Sequence, residues 1–254
     1  MNYTVKPAIL KIFTLAAALL GYLLRYLLYA TAIDQKGLII RGHWATWALV
    51  SLTILFFAGL LLMAQNPKRE PNYRDCFNPS IWRSLGALAA AGAIMLHSYR
   101  YDIFASGLLD RVTGILGMVA GLGLLIVGIC HVLGRKPNFL FPVVASFYFA
   151  LRLIDLYRGW SSNPQLMDYV FYLGAFICMM LSSYFLAQFH VDTRHHRSLW
   201  VASMAAVYLS VVAIPNSGDM SLLAPCAFWA FTCPPVMRRK FRRQQPVVPT
   251  DEEI

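Results

Sequence analysis

Apolar residues in this chain come in blocks of about 20, the length an α-helix needs to cross a hydrocarbon core roughly 30 Å thick. Short polar stretches marked by proline and glycine separate them. The first block runs from Pro7 to Thr31 and ends at the turn Asp34-Gln35-Lys36-Gly37. The second runs from Trp44 to Ala64 and opens onto a long polar loop, Gln65 to Ser84, holding Pro67, Pro71 and Pro79. A short, small-residue block follows, Ile81 to Ser98. The fourth, Leu108 to Leu133, carries Gly117 and Gly121 at the spacing that lets another helix approach closely. Gly134 to Asn138 is a tight turn. The fifth block, Phe139 to Tyr157, has Pro142 in its first turn, where proline is tolerated. The sixth covers Leu166 to Phe189, and the seventh Leu199 to Ile214 after the polar loop His190 to Arg197. The last, Met220 to Met237, is interrupted by Pro225 and closed by Pro234-Pro235, and is the weakest of the eight.

These blocks predict an all-α polytopic transmembrane bundle of about eight spans, made of four hairpins. Residues 1–237 form the bundle and 238–254 a polybasic, then acidic, tail. Charge orients it. With the N-terminus inside, 15 of the 22 Lys and Arg fall on inner segments, among them Lys6, Lys11, Arg83, Arg135, Lys136, Arg194, Arg197 and the tail. Positively charged loops stay cytoplasmic, so both termini are expected inside. In a prokaryotic source the membrane would be the cytoplasmic one. Arg238, Arg239, Lys240, Arg242 and Arg243 are placed to lie on anionic lipid head groups.

Composition agrees. Hydrophobic residues make up 58% of the chain and charged residues 13%, against about 45–50% and 25% in soluble domains. The net charge of +10 does not point to nucleic acid, because the basic residues are spread over loops beside apolar blocks. The five cysteines are an odd number and four of them lie in apolar blocks, so no disulfide framework is expected. Lys6 and Lys11 ahead of an apolar run resemble a signal peptide, but Arg25 interrupts a run too long for one, and the first block is read as a retained helix.

The chemistry-bearing residues cluster at the outer ends. His97 to Asp110 reads H-S-Y-R-Y-D-I-F-A-S-G-L-L-D, and Asp155 to Asp168 reads D-L-Y-R-G-W-S-S-N-P-Q-L-M-D. Tyr99, Arg100 and Asp110 are echoed by Tyr157, Arg158 and Asp168, and His97 by Asp155. The echo predicts parallel hairpin repeats related by an axis along the membrane normal. Arginine within a span is costly and faces a partner or a watery cavity. Arg152 and Asp155, three apart, share a helical face. An outward-facing pocket among the first, third and fifth helices is expected, lined by Arg25, His97, Arg100, Arg152, Asp155 and Arg158, with Tyr29, Tyr99 and Tyr157 nearby. Its arginines would suit a small polar or anionic ligand, bound and transported. The alternative is a non-catalytic sensor or assembly subunit acting through a partner membrane protein.

On the inner side, His190, Asp192, His195 and His196 are weak candidates for a metal site, with His131 close enough in the topology to join them. No H-E-x-x-H, G-x-S-x-G or P-loop occurs, so neither an enzyme nor a cofactor is expected. Trp44, Trp47, Trp82, Trp160 and Trp200 near block ends read as interface anchors.

Overall fold

The computed structural model describes residues 5–32, 43–64, 80–160, 166–191, 196–216 and 219–235, and among them there are eight α-helices and no strand. They are α1 (Val5–Thr31), α2 (Trp44–Met63), α3 (Ile81–His97), α4 (Leu108–Val132), α5 (Leu140–Trp160), α6 (Leu166–His190), α7 (His196–Ala213) and α8 (Met220–Thr232). A π-helical turn, Ser98–Asp102, continues α3, and a 3-10 turn, Ile214–Asn216, follows α7. Each apolar block thus becomes one helix. Asp192, His195, the side chain of Asp168 and the basic run Arg238 to Arg243 lie outside the described residues, as does the side chain of Trp160.

Helices α3 to α8 pack in chain order, and α8 closes on α3, which makes a ring of six. The α1–α2 pair packs on the outside of α7. This placement explains why α7 is buried on nearly every side, from Leu199 to Ala213. Its many small residues (Ala202, Ser203, Ala205, Ala206, Ser210, Ala213) let neighbours approach from all directions, and a helix enclosed all round carries no polar stripe. Ser203 meets Ser182 of α6 at 2.8 Å. Tyr208 stacks on Phe56 of α2 with ring centroids 4.2 Å apart, and its hydroxyl lies 2.9 Å from Thr53.

Among the described residues, five helices are long and apolar enough to cross a membrane: α1, α2, α4, α5 and α6. The bundle's outside is itself apolar, with Ile54, Leu55, Leu62, Ile115 and Phe147 each between 61% and 74% exposed. A surface of that kind is at home in lipid rather than water. These features fit an integral membrane protein.

Helix α8 has only 13 residues, roughly 20 Å, and continues through Pro225 rather than breaking there. It nevertheless reaches from one end of the ring to the other. Asp219 at its N-cap meets residues at the end of α3, and the Pro234 carbonyl just beyond it accepts a 3.3 Å bond from Arg83 in the first turn of α3. Gly86 makes this pairing close, since a Cβ there would stand 2.2 Å from Thr232 Oγ1 and 3.2 Å from the Trp229 Cα. Trp229, in turn, lies against Phe149 of α5.

Several sequence expectations change. Trp44, Trp47 and Trp82 are exposed, as anchors should be, but Trp200 is buried and its indole N–H donates to His196 Nε2 at 3.2 Å. Helix α7 begins three residues earlier than expected, at His196, and α5 runs on to Trp160. The echoed segments also differ locally: Tyr99-Arg100 lies in a π turn, Tyr157-Arg158 in a regular α-helix.

Candidate functional site

At the end of the ring where α3 leads into α4, the described carboxylates converge. Arg152 is the centre. It stands twelve residues into α5, roughly 18 Å along the helix, and is 8% exposed. Its Nη1 donates to Asp102 Oδ1 and to Asp155 Oδ2, each at 3.1 Å. Its Nη2 lies 2.7 Å from His97 Nε2 and 3.7 Å from Asp219 Oδ2. Tyr172 of α6 donates its hydroxyl to Asp219 Oδ2. Asp110, in the first turn of α4, comes within hydrogen-bonding reach of Asp155. Side chains from α3, the π turn, α4, α5, α6 and the start of α8 therefore meet around one guanidinium.

The π turn is what brings His97 and Asp102 together. Residues five apart on an α-helix point roughly 140° away from each other. In the π turn the backbone bond spans five residues, Ile103 N–H to the Ser98 carbonyl at 3.0 Å, so positions five apart come nearly into register. The turn also needs α4 to come close. A Cβ at Gly114 would stand 2.8 Å from the Ile103 nitrogen and 2.9 Å from Asp102 Cβ, and one at Gly117 would stand 2.0 Å from Ser98 Oγ. Gly117 and Gly121 thus form the helix contact expected of their spacing, with α3 as the other side: Gly121 faces Met95 and the Ala91 carbonyl.

Burial is graded across the cluster. The Asp102 and His97 side chains are 4% and 2% exposed, whereas those of Asp155 and Asp219 are 22% and 27% exposed. Asp102 Oδ2, His97 Nδ1 and Arg152 Nε are buried without a hydrogen-bond partner. Unpaired polar atoms are expensive away from water, and three around one charge mark this site. The buried hydroxyls of Ser98 and Tyr148 lie just below.

Of the six expected lining residues, the structure brings together His97, Arg152 and Asp155. Arg100 and Arg158 are exposed, as are Tyr99 and Tyr157. Arg25 is buried elsewhere, its guanidinium 4.9 Å from the Phe171 ring centroid of α6 and 3.3 Å from the Tyr29 hydroxyl. Its helix packs on α2 and α7 rather than α3 and α5. The two positions of the echo that reach Arg152 are His97 and Asp155, while the Tyr-Arg pairs that made it visible face outward.

Asp102, Asp219 and Tyr172 are the residues that sequence reasoning missed. Asp102 is five residues from His97 and reads as a loop charge unless the helix is continued with a π turn. Asp219, next to a turn and ahead of an apolar run, is recognisable only as a helix cap. The site is therefore acidic in balance, three carboxylates around one guanidinium, not arginine-rich. At the opposite end, His131 and His190 line one cavity, whereas His196 is bonded to Trp200. No three His, Cys, Asp or Glu side chains among the described residues are grouped to hold a metal. Compared with known proteins, no family model, curated protein or solved structure matches this chain.

Proposed function

We propose that the chain is a multi-pass membrane protein of eight crossings with both termini inside, and that the Arg152 cluster at its outer end binds a small polar ligand and passes it into the bundle. The carrying observation is the sharing of Arg152 by Asp102, Asp155 and Asp219. Ionisable groups at membrane depth are costly and are kept where they bind or relay. Asp155 and Asp219, the more exposed carboxylates, are the groups a ligand meets first. Asp102 and His97 lie deeper and take it next. With carboxylates in excess, the cluster favours a cationic or zwitterionic ligand, or a proton. An anion, suggested by the arginine count, loses support because Arg25 and Arg100 do not join, and Arg158 reaches only Asp155, one of the two more exposed carboxylates.

The reach of α8 from Asp219 to Pro234 supports the eighth crossing, and the positively charged segments support the inside termini. On this topology Arg238 to Arg243 lie on the inner leaflet, and the paired helices α3–α4 and α5–α6 are parallel repeats whose tips diverged.

The test is electrical. Purified protein in liposomes on a solid-supported membrane should give transient currents when amino acids or polyamines are added, and none with inorganic anions. Asp155→Asn should diminish the current. Currents with anions alone would overturn the ligand class. No current with any solute, together with stoichiometric co-purification of a second membrane protein, would favour the sensor or assembly subunit instead.

A further inference from the structure

Two carboxylates of the Arg152 cluster stand closer to each other than two anions tolerate. Asp155 of α5 and Asp110 of α4 are within hydrogen-bonding reach, and an ionised carboxylate has no hydrogen to donate. A bond between them needs one proton. Without it, like charges face each other at contact distance in a partly buried site. Arg152 does not stand between them, because its Nη1 bonds Asp155 Oδ2 and Asp102 Oδ1 together, each at 3.1 Å. Arg158, three residues further along α5, also attracts Asp155. The other charged and titratable groups of the cluster are Asp102 in the π turn, His97 on α3, Tyr172 on α6 and Asp219 at the start of α8. A second observation points to a missing cation. Asp102 Oδ2 is buried without a hydrogen-bond partner on a side chain 4% exposed, and Asp102 feels the charges of Asp155, Asp110 and Asp219. The cluster thus holds an acceptor oxygen with nothing to accept from.

We propose that Asp155 and Asp110 hold one proton between them, and that the cationic group of the ligand takes its place. This rests on reading the cluster as a site for a cationic or zwitterionic ligand, and names what that ligand exchanges for. The proton belongs on Asp155. Its Oδ2 is taken by Arg152, which leaves Oδ1 to carry the hydrogen. Asp110 is the acceptor. It stands in the first turn of α4 over the N-cap Gly107, where a Cβ would lie 2.3 Å from Asp110 Oδ2. Free N–H groups at a helix start favour the ionised carboxylate. A proton takes no room, so the close approach of the two side chains needs no cavity. An ammonium group entering from outside meets Asp155, whose side chain is 22% exposed. As it binds, the O–H bond of Asp155 breaks, the proton leaves to water, and the carboxylate so formed pairs with the ammonium. One positive charge enters and one leaves. Asp102 Oδ2, deeper and open, is the acceptor that the ammonium reaches next. The class of transport is cation–proton exchange.

The experiment has two parts. Infrared spectroscopy of the full chain in lipid nanodiscs needs no ligand. It should show the carbonyl band of a protonated carboxylic acid at neutral pH, shifted by deuterium exchange. Asp155→Asn should remove the band. Asp110→Asn should remove it too, because the new amide donates to Asp155 and makes the proton unnecessary. Either amide keeps the bond between the two positions, so both variants should fold. Calorimetry with putrescine, in two buffers of different ionisation enthalpy, then counts protons. Close to one should be released per putrescine bound, and affinity should rise about tenfold per pH unit while the site is protonated. Asp110→Asn should still bind putrescine, but with neither proton release nor pH dependence, a change that a purely structural Asp110 would not produce. No acid band in the wild type, or a band that survives Asp155→Asn, would overturn the shared proton. Putrescine binding without proton release would overturn the exchange and leave the ligand class standing. No binding of putrescine or of any amino acid would remove the ligand class and the exchange together, and the infrared band would then decide the shared proton by itself.

Discussion

His97 Nε2 lies 2.7 Å from Arg152 Nη2, and a guanidinium only donates. His97 must therefore accept through Nε2, which makes it a neutral imidazole with its proton on Nδ1. That nitrogen points toward Asp219, 4.0 Å from Oδ1, too far for a hydrogen bond but well placed for attraction. Adding a proton at Nε2 would set two donors against each other, so the contact is available to one protonation state of the ring alone.

Nitrogen NMR of His97 in the purified protein should accordingly show the neutral Nδ1–H form at neutral pH. A ring protonated at Nε2 under those conditions would mean that His97 and Arg152 are not bonded.

Removing charges one at a time should rank by burial. Asp102 is buried and paired with Arg152, so Arg152→Met, which leaves it without a cation, should destabilise by roughly 3–5 kcal/mol. Asp155→Ala should cost about 1 kcal/mol, because Arg152 keeps Asp102 and Asp155 is partly exposed. The double change Arg152→Met with Asp102→Leu should recover much of the loss. Unfolding midpoints in detergent decide the order, and an Asp155→Ala loss as large as that of Arg152→Met would refute it.

Glycine substitutions along α4 should separate close packing from open space. Gly114→Ala presses on the backbone of the π turn at 2.8 Å, and should cost about 1–3 kcal/mol and disturb the Arg152 cluster. Gly92→Ala on α3 meets nothing within 4 Å and should be neutral or slightly stabilising, since alanine is the better helix former. Equal effects of the two changes, measured by thermal unfolding, would mean that α4 does not pack against the π turn as described.

Topology is open to cysteine labelling in a Cys76→Ser background. Phe104, 73% exposed beyond the π turn, should label from outside as Phe104→Cys, and Asn138→Cys, exposed between α4 and α5, only after permeabilisation. Arg239→Cys should behave like Asn138→Cys. External labelling of Arg239→Cys would give an odd number of crossings and remove α8 as a span.

The helices themselves were legible from the sequence. Eight apolar blocks became eight helices with ends shifted by a few residues, because a 20-residue apolar run bounded by Gly, Pro and charge has few alternatives to a helix. The inward pairing of Arg152 with Asp155 was legible too, since residues three apart share a helical face whatever the surroundings. Other features were decided by tertiary structure. Nothing in the spacing of His97 and Asp102 announces a π turn; it forms where Gly114 and Gly117 let α4 press close to the end of α3. Asp219 is 67 positions from Arg152, and joins it only because α8 closes the ring against α3. Arg25 is buried as an intramembrane arginine should be, but beside Phe171, because α1 packs on α7. Periodicity fixes which face of a helix is apolar, a local property. Which faces meet depends on side-chain shapes along every contact at once, and that decided that the cluster is acidic.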